Sequence, residues 1–177
     1  MGRTDMPRFA QGPELLLPVK GGFILFTILA GLTLNLLPLP ELLVLLRPDF
    51  LLLVLLYWIV YHPMRVNIGA AWLMGLVVDV AYGNLLGQYA LAYALTAFVC
   101  LALRRRVLMF PLWQQTFHIL PLLLLAQTIV LLIKLSSGAP WPGPILYLSS
   151  AFGAVLWLWL PPLLQIPQRK QPNPDPQ

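Results

Sequence analysis

The sequence predicts an all-α fold, a polytopic transmembrane bundle of about six spans. Three observations predict it. The chain is 59% hydrophobic and only 10% charged, against about 25% charged residues in a soluble domain, so polar side chains are too few to cover a water-facing surface. The apolar residues come in long runs rather than in a one-sided helical stripe, a pattern that is stable only where the surroundings are apolar on every side. Nearly all of the 18 prolines fall between those runs or at their ends, where a missing N–H is tolerated.

The prolines divide the chain in order. Span 1 covers roughly Val19–Leu37 and is followed by the loop Pro38–Glu41. Its apolar run, Gly21 to Leu37, follows Arg3, Arg8 and Lys20 as a signal peptide would, but no A-x-A-like cleavage site comes after it, and it reads as an uncleaved first helix. Span 2 is centred on Phe50–Tyr61 and begins between Leu42 and Pro48. It is the weakest span, because a start at Pro48 covers only about 20 Å of a core about 30 Å thick. The turn His62–Arg65 leads to span 3, Val66–Tyr82, and Gly83-Asn84 turns into span 4, Leu85–Leu103. A basic loop, Arg104–Arg106, precedes span 5, Leu112–Leu135, with a kink expected at Pro121. The polar loop Ser136–Gly143 precedes span 6, Pro144–Leu164. The expected organisation is a cytoplasmic tail (1–18), a six-helix transmembrane domain (19–164) and a disordered, proline-rich cytoplasmic tail (165–177).

Basic residues set the orientation. With both termini in the cytoplasm, six spans place Arg3, Arg8, Lys20, Arg65, Arg104, Arg105, Arg106, Arg169 and Lys170 inside, and only Arg47 and Lys134 of the 11 basic residues outside. Five or seven spans break this pattern in the second half. Arg104, Arg105 and Arg106 read as a topology determinant, with docking of acidic lipid or of a cytoplasmic partner as the alternative. The net charge of +5 therefore belongs to membrane topology, and no base-reading fold accompanies it. Aromatic residues near span ends (Tyr57, Trp58, Tyr61, Tyr82, Trp113, Trp141, Trp157, Trp159) suit an interfacial belt, with some facing the bundle.

The same residues offer little chemistry. His62 and His118 lie on different elements without metal-ligand spacing, and there is neither a phosphate loop nor an H-E-x-x-H motif. Cys100 is alone inside an apolar run and reads as a small buried filler. No metal or cofactor is expected, and the sequence points away from an enzyme. Asp79 is the most informative residue, because a carboxylate in an apolar helix is costly unless satisfied. Ile68, Trp72, Gly75 and Asp79 fall on one helical face, and the glycine admits a close neighbour. Asp79 is expected to pair with Arg47 or to hydrogen-bond near Asn84. Ser149, Ser150, Gly153 and Ala154 form a small-residue patch read as internal packing, and Gln127 and Thr128 stay ambiguous.

Several strings in order carry a resemblance: Arg47-Pro48-Asp49 running to Tyr57-Trp58, His62–Gly69, Gly75 to Asp79, Gly83-Asn84 to Gly87, Leu112–Gln115 and Trp157–Trp159. Together, over residues 20 to 165, they resemble the MreD family of bacterial rod shape-determining membrane proteins. The resemblance implies a non-enzymatic scaffold and regulator of lateral cell-wall elongation in the cytoplasmic (inner) membrane. It implies MreC as direct partner, and RodA, a penicillin-binding transpeptidase, RodZ and MreB in the wider complex. It also implies a fold similar to the six-helix substrate-binding subunit of energy-coupling-factor transporters. The family-like positions are Arg47, Pro48, Asp49, Trp58, Gly75, Asp79, Gly83 and Gly87, expected with Asn84 to shape the outer half of the bundle. The rival reading is a vitamin-binding subunit of such a transporter, with Arg47, Asp49, Asp79, Asn84 and Gln88 as candidate pocket groups.

Overall fold

A computed structural model of the chain describes residues 20–38 and 47–166. It is all-helical there, without strands: α1 (Gly21–Leu36), α2 (Phe50–Tyr61), α3 (Ile68–Tyr82), α4 (Gln88–Met109), α5 (Leu112–Ser136), a 3₁₀ turn (Pro144–Tyr147), α6 (Leu148–Leu156) and α7 (Leu160–Gln165). The expectations for the two tails, the loop after Pro38 and an early start of span 2 concern residues outside this set. Among the described residues, α5 alone is long and apolar enough by itself to cross a membrane; α1, α2, α3 and Pro144–Leu156 are apolar but shorter.

The order of packing follows from where side chains bond across helices. The end of α1 meets the start of α2 through Asn35, whose Oδ1 accepts from Phe50 N at 2.9 Å. The start of α1 meets the far end of α2, where Phe23 stacks edge-on against Trp58 with centroids 6.0 Å apart. The two helices are therefore antiparallel. The Tyr82 hydroxyl, at the end of α3, donates to Asn35 O at 2.7 Å, and Arg104 Nε, near the end of α4, donates to Val60 O at 2.6 Å. Successive helices thus alternate in direction. Contacts run α1 to α2, α2 to α4, α3 to α4, α4 to α5 and α5 to α6, with α7 touching α2.

α2 is the centre of the bundle. All residues from Leu51 to Val60 are buried, so its uniformly apolar sequence is met by protein on every face. Its 12 residues rise only about 18 Å. The short second run is thus a core helix rather than a lipid-facing one.

Two details differ from the expectation. Arg104–Arg106 do not form a loop; they continue α4, which stops only at Phe110. Arginine is a good helix former, and the real boundary is Pro111, which holds Phe110 in extended geometry (φ −99°, ψ 148°). Pro121 lies inside α5, which is one helix from Leu112 to Ser136. The last run is not one helix but the 3₁₀ turn, α6 and α7. Pro161 and Pro162 lack the N–H groups that would bond back to the carbonyls of Trp157 and Leu158, so the helix opens at residues 157–159 and restarts with the prolines in its first turn.

Tyr57, Trp58 and Trp157 are fully buried and belong to the core. Trp113, Trp141 and Trp159 are exposed, as an interfacial belt requires. On α3 the inward face is Ala71, Gly75, Val78 and Asp79. Trp72, placed by spacing beside Gly75, is 46% exposed; the buried face centres on Ala71, Gly75 and Val78 and leaves Trp72 at its edge.

Candidate functional site

The site begins with two turns that only glycine supports comfortably. α3 ends at Gly83, left-handed at φ 62°, where Gly83 N donates to Val80 O (3.2 Å) and Asn84 N to Asp79 O (3.0 Å). This closes the spare carbonyls of the helix end. Gly87, at φ 99°, opens α4 and has no side chain with which to cap it. The cap comes from α3. Asp79, fully buried, accepts from Tyr89 N at 2.8 Å on Oδ1, and from Gly87 N at 3.0 Å and Ala90 N at 3.2 Å on Oδ2. A carboxylate at a helix N-terminus meets both the unpaired amides and the positive end of the dipole.

Gly75 makes this possible. A Cβ there would lie 2.5 Å from Ala90 Cα and 2.6 Å from Tyr89 O. The two backbones touch one turn from Asp79, which brings the carboxylate within reach of the α4 amides. The expected pairing of Asp79 with Arg47 is therefore corrected. The start of α4 offers three donors close by, whereas Arg47 turns away, donating to Leu37 O (3.1 Å) and the Tyr82 hydroxyl (3.2 Å).

The second carboxylate does the same work at α2. Asp49 is its N-cap, accepting from Leu52 N at 3.0 Å. The Asn35 side chain bridges the same helix start. Its Nδ2 donates to Asp49 Oδ1 at 2.7 Å while its Oδ1 takes Phe50 N. The Tyr93 hydroxyl donates to Asp49 Oδ2 at 2.5 Å, tying α4 to α2. Asp49 and Asp79 are the two acids among the described residues, and each is committed to a helix start.

α5 and α6 complete the cluster. Gln127 Nε2 donates to Leu146 O (2.7 Å) and Ser149 Oγ (2.9 Å), and Ser150 Oγ donates to Gln127 Oε1. An added Cβ at Gly153 would sit 2.9 Å from Leu123 Cδ1 and 3.4 Å from Pro48 Cβ, so the small-residue patch packs α6 onto α5 and the start of α2. Between these elements lies a cavity of about 490 Å³, walled by Asn35, Arg47, Pro48, Asp49, Tyr82, Asn84, Tyr89 and Tyr93 on one side and by Gln127, Val130, Leu131 and Lys134 of α5 on another.

The opposite end is different in kind. Arg104 caps the end of α2 at Val60 O, while Arg105 and Arg106 are exposed. Trp58 Nε1 donates to Thr27 Oγ1 at 2.9 Å, and Trp157 Nε1 to Gln115 Oε1 at 3.2 Å. His118 Nδ1 lies 3.2 Å from Gln114 O and its ring stacks on Phe110. No group of three or more potential metal ligands occurs among the described residues.

Arg47, Pro48, Asp49 and Asn84 thus meet around the cavity, with Gly75, Asp79, Gly83 and Gly87 forming the adjoining α3–α4 turn. Trp58 lies apart, about 13 Å further along α2 from Asp49. Asn35 and Tyr93 escaped the sequence reading. A lone amide closing the first apolar run was the available signal for Asn35; nothing local distinguishes Tyr93.

Comparison with known proteins agrees with the quoted strings. The family model of the rod shape-determining protein MreD matches residues 19–166. The Haemophilus influenzae rod shape-determining protein MreD is 29% identical over 149 residues, covering 82% of this chain and 92% of that one. No solved structure matches.

Proposed function

The chain belongs to the MreD family of rod shape-determining proteins, and from that premise we propose that it is a non-enzymatic membrane scaffold of lateral cell-wall elongation, acting through association with MreC. The observation that carries the reading is the family match, which spans the whole helical region from α1 to α7. The geometry supports it, because Asn35, Asp49, Asp79 and Gln127 are spent holding helices together. What α1, α3, α4 and α5 turn outward is chiefly apolar surface, such as Phe26, Leu73, Phe98 and Leu132. Helix faces are what such a protein has to offer a partner helix.

In this proposal the chain crosses the bacterial inner membrane six times, as a bundle similar to the substrate-binding subunit of energy-coupling-factor transporters, with both termini cytoplasmic. The alternating helix directions support the orientation. They gather Lys20, Arg65 and Arg104–Arg106 at one end and leave Arg47 and Lys134 at the other, as the positive-inside rule requires of a cytoplasmic face. RodA, a penicillin-binding transpeptidase, RodZ and MreB are partners at one remove. The cavity favours the alternative, a vitamin-binding subunit of such a transporter.

Depletion of the protein in its rod-shaped host separates the two. Rounded cells, with MreC recovered by affinity pulldown of the wild-type protein, are the expected result. Normal rods without MreC would overturn the scaffold reading and direct attention to solute uptake.

A further inference from the structure

The side-chain ammonium of Lys134 has no hydrogen-bond or ion-pair partner among the described residues. It closes a stripe on α5, where Leu123, Ala126, Gln127, Val130, Leu131 and Lys134 all face the 490 Å³ cavity. Spaced by threes and fours, they share one helical face. Over about 16 Å of helix the wall passes from aliphatic carbon to an amide and then to an ammonium. Across the cavity stand Asn84 and Tyr89, whose side-chain amide and hydroxyl hydrogen-bond no other described residue. Asp49 is the one described acid in the lining, and its oxygens are occupied by Asn35, Leu52 N and Tyr93. The lining therefore presents free donors and, with Arg47 and Lys134 against Asp49, a formal excess of positive charge.

We propose that this cavity binds one anionic phospholipid, its phosphate on Lys134, Tyr89 and Asn84 and an acyl chain lying along Val130, Ala126 and Leu123. The volume falls within the roughly 300–1,000 Å³ of small-molecule sites. A phosphate has only acceptor oxygens, which match an ammonium, a phenol and an amide N–H. Free phosphate would leave the apolar half of the wall unused. A zwitterionic lipid would bring its own ammonium against Lys134 and Arg47. The inference is independent of the scaffold role and concerns what the bundle holds while performing it.

The test is native mass spectrometry of the full chain in non-ionic detergent, titrated with phosphatidylglycerol or phosphatidylethanolamine. The wild type retains phosphatidylglycerol preferentially, and Lys134→Gln weakens retention about tenfold, the loss of one charged hydrogen bond. Lys134→Arg preserves it. Tyr89→Phe, which removes a hydroxyl and little packing, also lowers retention, so the result does not hang on one variant. Millimolar inorganic phosphate leaves the lipid in place. Equal retention of both lipids, unchanged retention in Lys134→Gln and Tyr89→Phe together, or displacement by inorganic phosphate alone would each overturn the assignment.

Discussion

Gly75→Ala is the sharpest perturbation of this fold. The added methyl would lie 2.5 Å from Ala90 Cα, 2.6 Å from Ala90 N and 2.6 Å from Tyr89 O. Carbon atoms rest about 3.5–4.0 Å apart, so α3 and α4 must separate by about 1 Å. All three obstructing atoms are backbone, so no rotamer change relieves them. Overpacking of this kind costs about 1–3 kcal/mol. The same movement lengthens the bonds from Gly87, Tyr89 and Ala90 to Asp79, and each hydrogen bond to a charged group is worth about 1.5–3 kcal/mol. Partial loss of those bonds brings the expected cost to about 3–4 kcal/mol. The assay is equilibrium unfolding in mixed micelles, with Gly22→Ala as the control, since a methyl at Gly22 meets nothing within 4 Å. The control stays within about 1 kcal/mol of wild type, on the stabilising side, because alanine is the better helix former. The double mutant Gly75→Ala/Asp79→Ala is destabilised by less than the sum of the single changes, since the second finds the cap already loosened. Wild-type stability for Gly75→Ala, or strict additivity with Asp79→Ala, would refute the idea that Gly75 exists to bring α4 onto Asp79.

Three further outcomes follow from the same contacts. Asp79→Ala takes the acceptor from three amides, one buried (Ala90) and two part-buried (Gly87, Tyr89), and lowers stability by about 3 kcal/mol; hydrogen exchange at Tyr89 and Ala90 accelerates before that of α5, and uniform acceleration would argue against a local cap. Asn35→Asp keeps an acceptor for Phe50 N but sets a second carboxylate 2.7 Å from Asp49. It destabilises the bundle by about 2 kcal/mol or more, whereas Asn35→Leu restoring full stability would show that the bridge is dispensable. Thr27→Val removes both the acceptor of Trp58 Nε1 and the donor to Ile24 O and costs about 1–3 kcal/mol; Trp58→Phe loses the same indole bond and leaves a cavity, and a double-mutant cycle of thermal melting finds the pair costing less than the sum of the two.

The apolar runs revealed the helices because burial in lipid and burial in protein demand the same side chains. That equivalence is also why the reading stopped where it did. α2 looked like a deficient span, since nothing in Phe50–Tyr61 distinguishes a helix surrounded by lipid from one surrounded by other helices. Trp58 and Trp157 looked like belt residues for the same reason, and their indole N–H groups bond inside the bundle. Glycines were more informative than their neighbours. Gly75, Gly83 and Gly87 stood out in sequence, and each answers to a backbone demand, one of close approach and two of positive φ. Of the two expectations for Asp79, the ion pair with Arg47 fails and hydrogen bonding near Asn84 holds, through main-chain donors that are dense at a helix start and that a count of charged side chains does not show. Arg104–Arg106 were misread as a loop because charge was taken to end the helix, when the signal that ends it is Pro111.

The two carboxylates account for how α2 and α4 can begin inside the bundle. A helix that begins at the bilayer surface leaves its first amides to water and headgroups. α2 rises only about 18 Å and is buried in protein along its length, so its start is shut off from solvent by the helices around it. Its first amides need acceptors from the protein, because an unsatisfied N–H in an apolar surround costs several kcal/mol. Asn35 and Asp49 supply them from either side of the α1–α2 connection. α4 meets the same need with Asp79, since Gly87 gives it a turn but no cap. Each carboxylate gains the helix dipole as a counter-charge, which lets it sit in the bundle without a basic partner. Arg47 is thereby left for Leu37 O and Tyr82, and Lys134 for the cavity. Among the described residues, the spare positive charge at this end is thus a consequence of using both acids as caps, and it leads directly to the anionic ligand proposed for the space between α4 and α5.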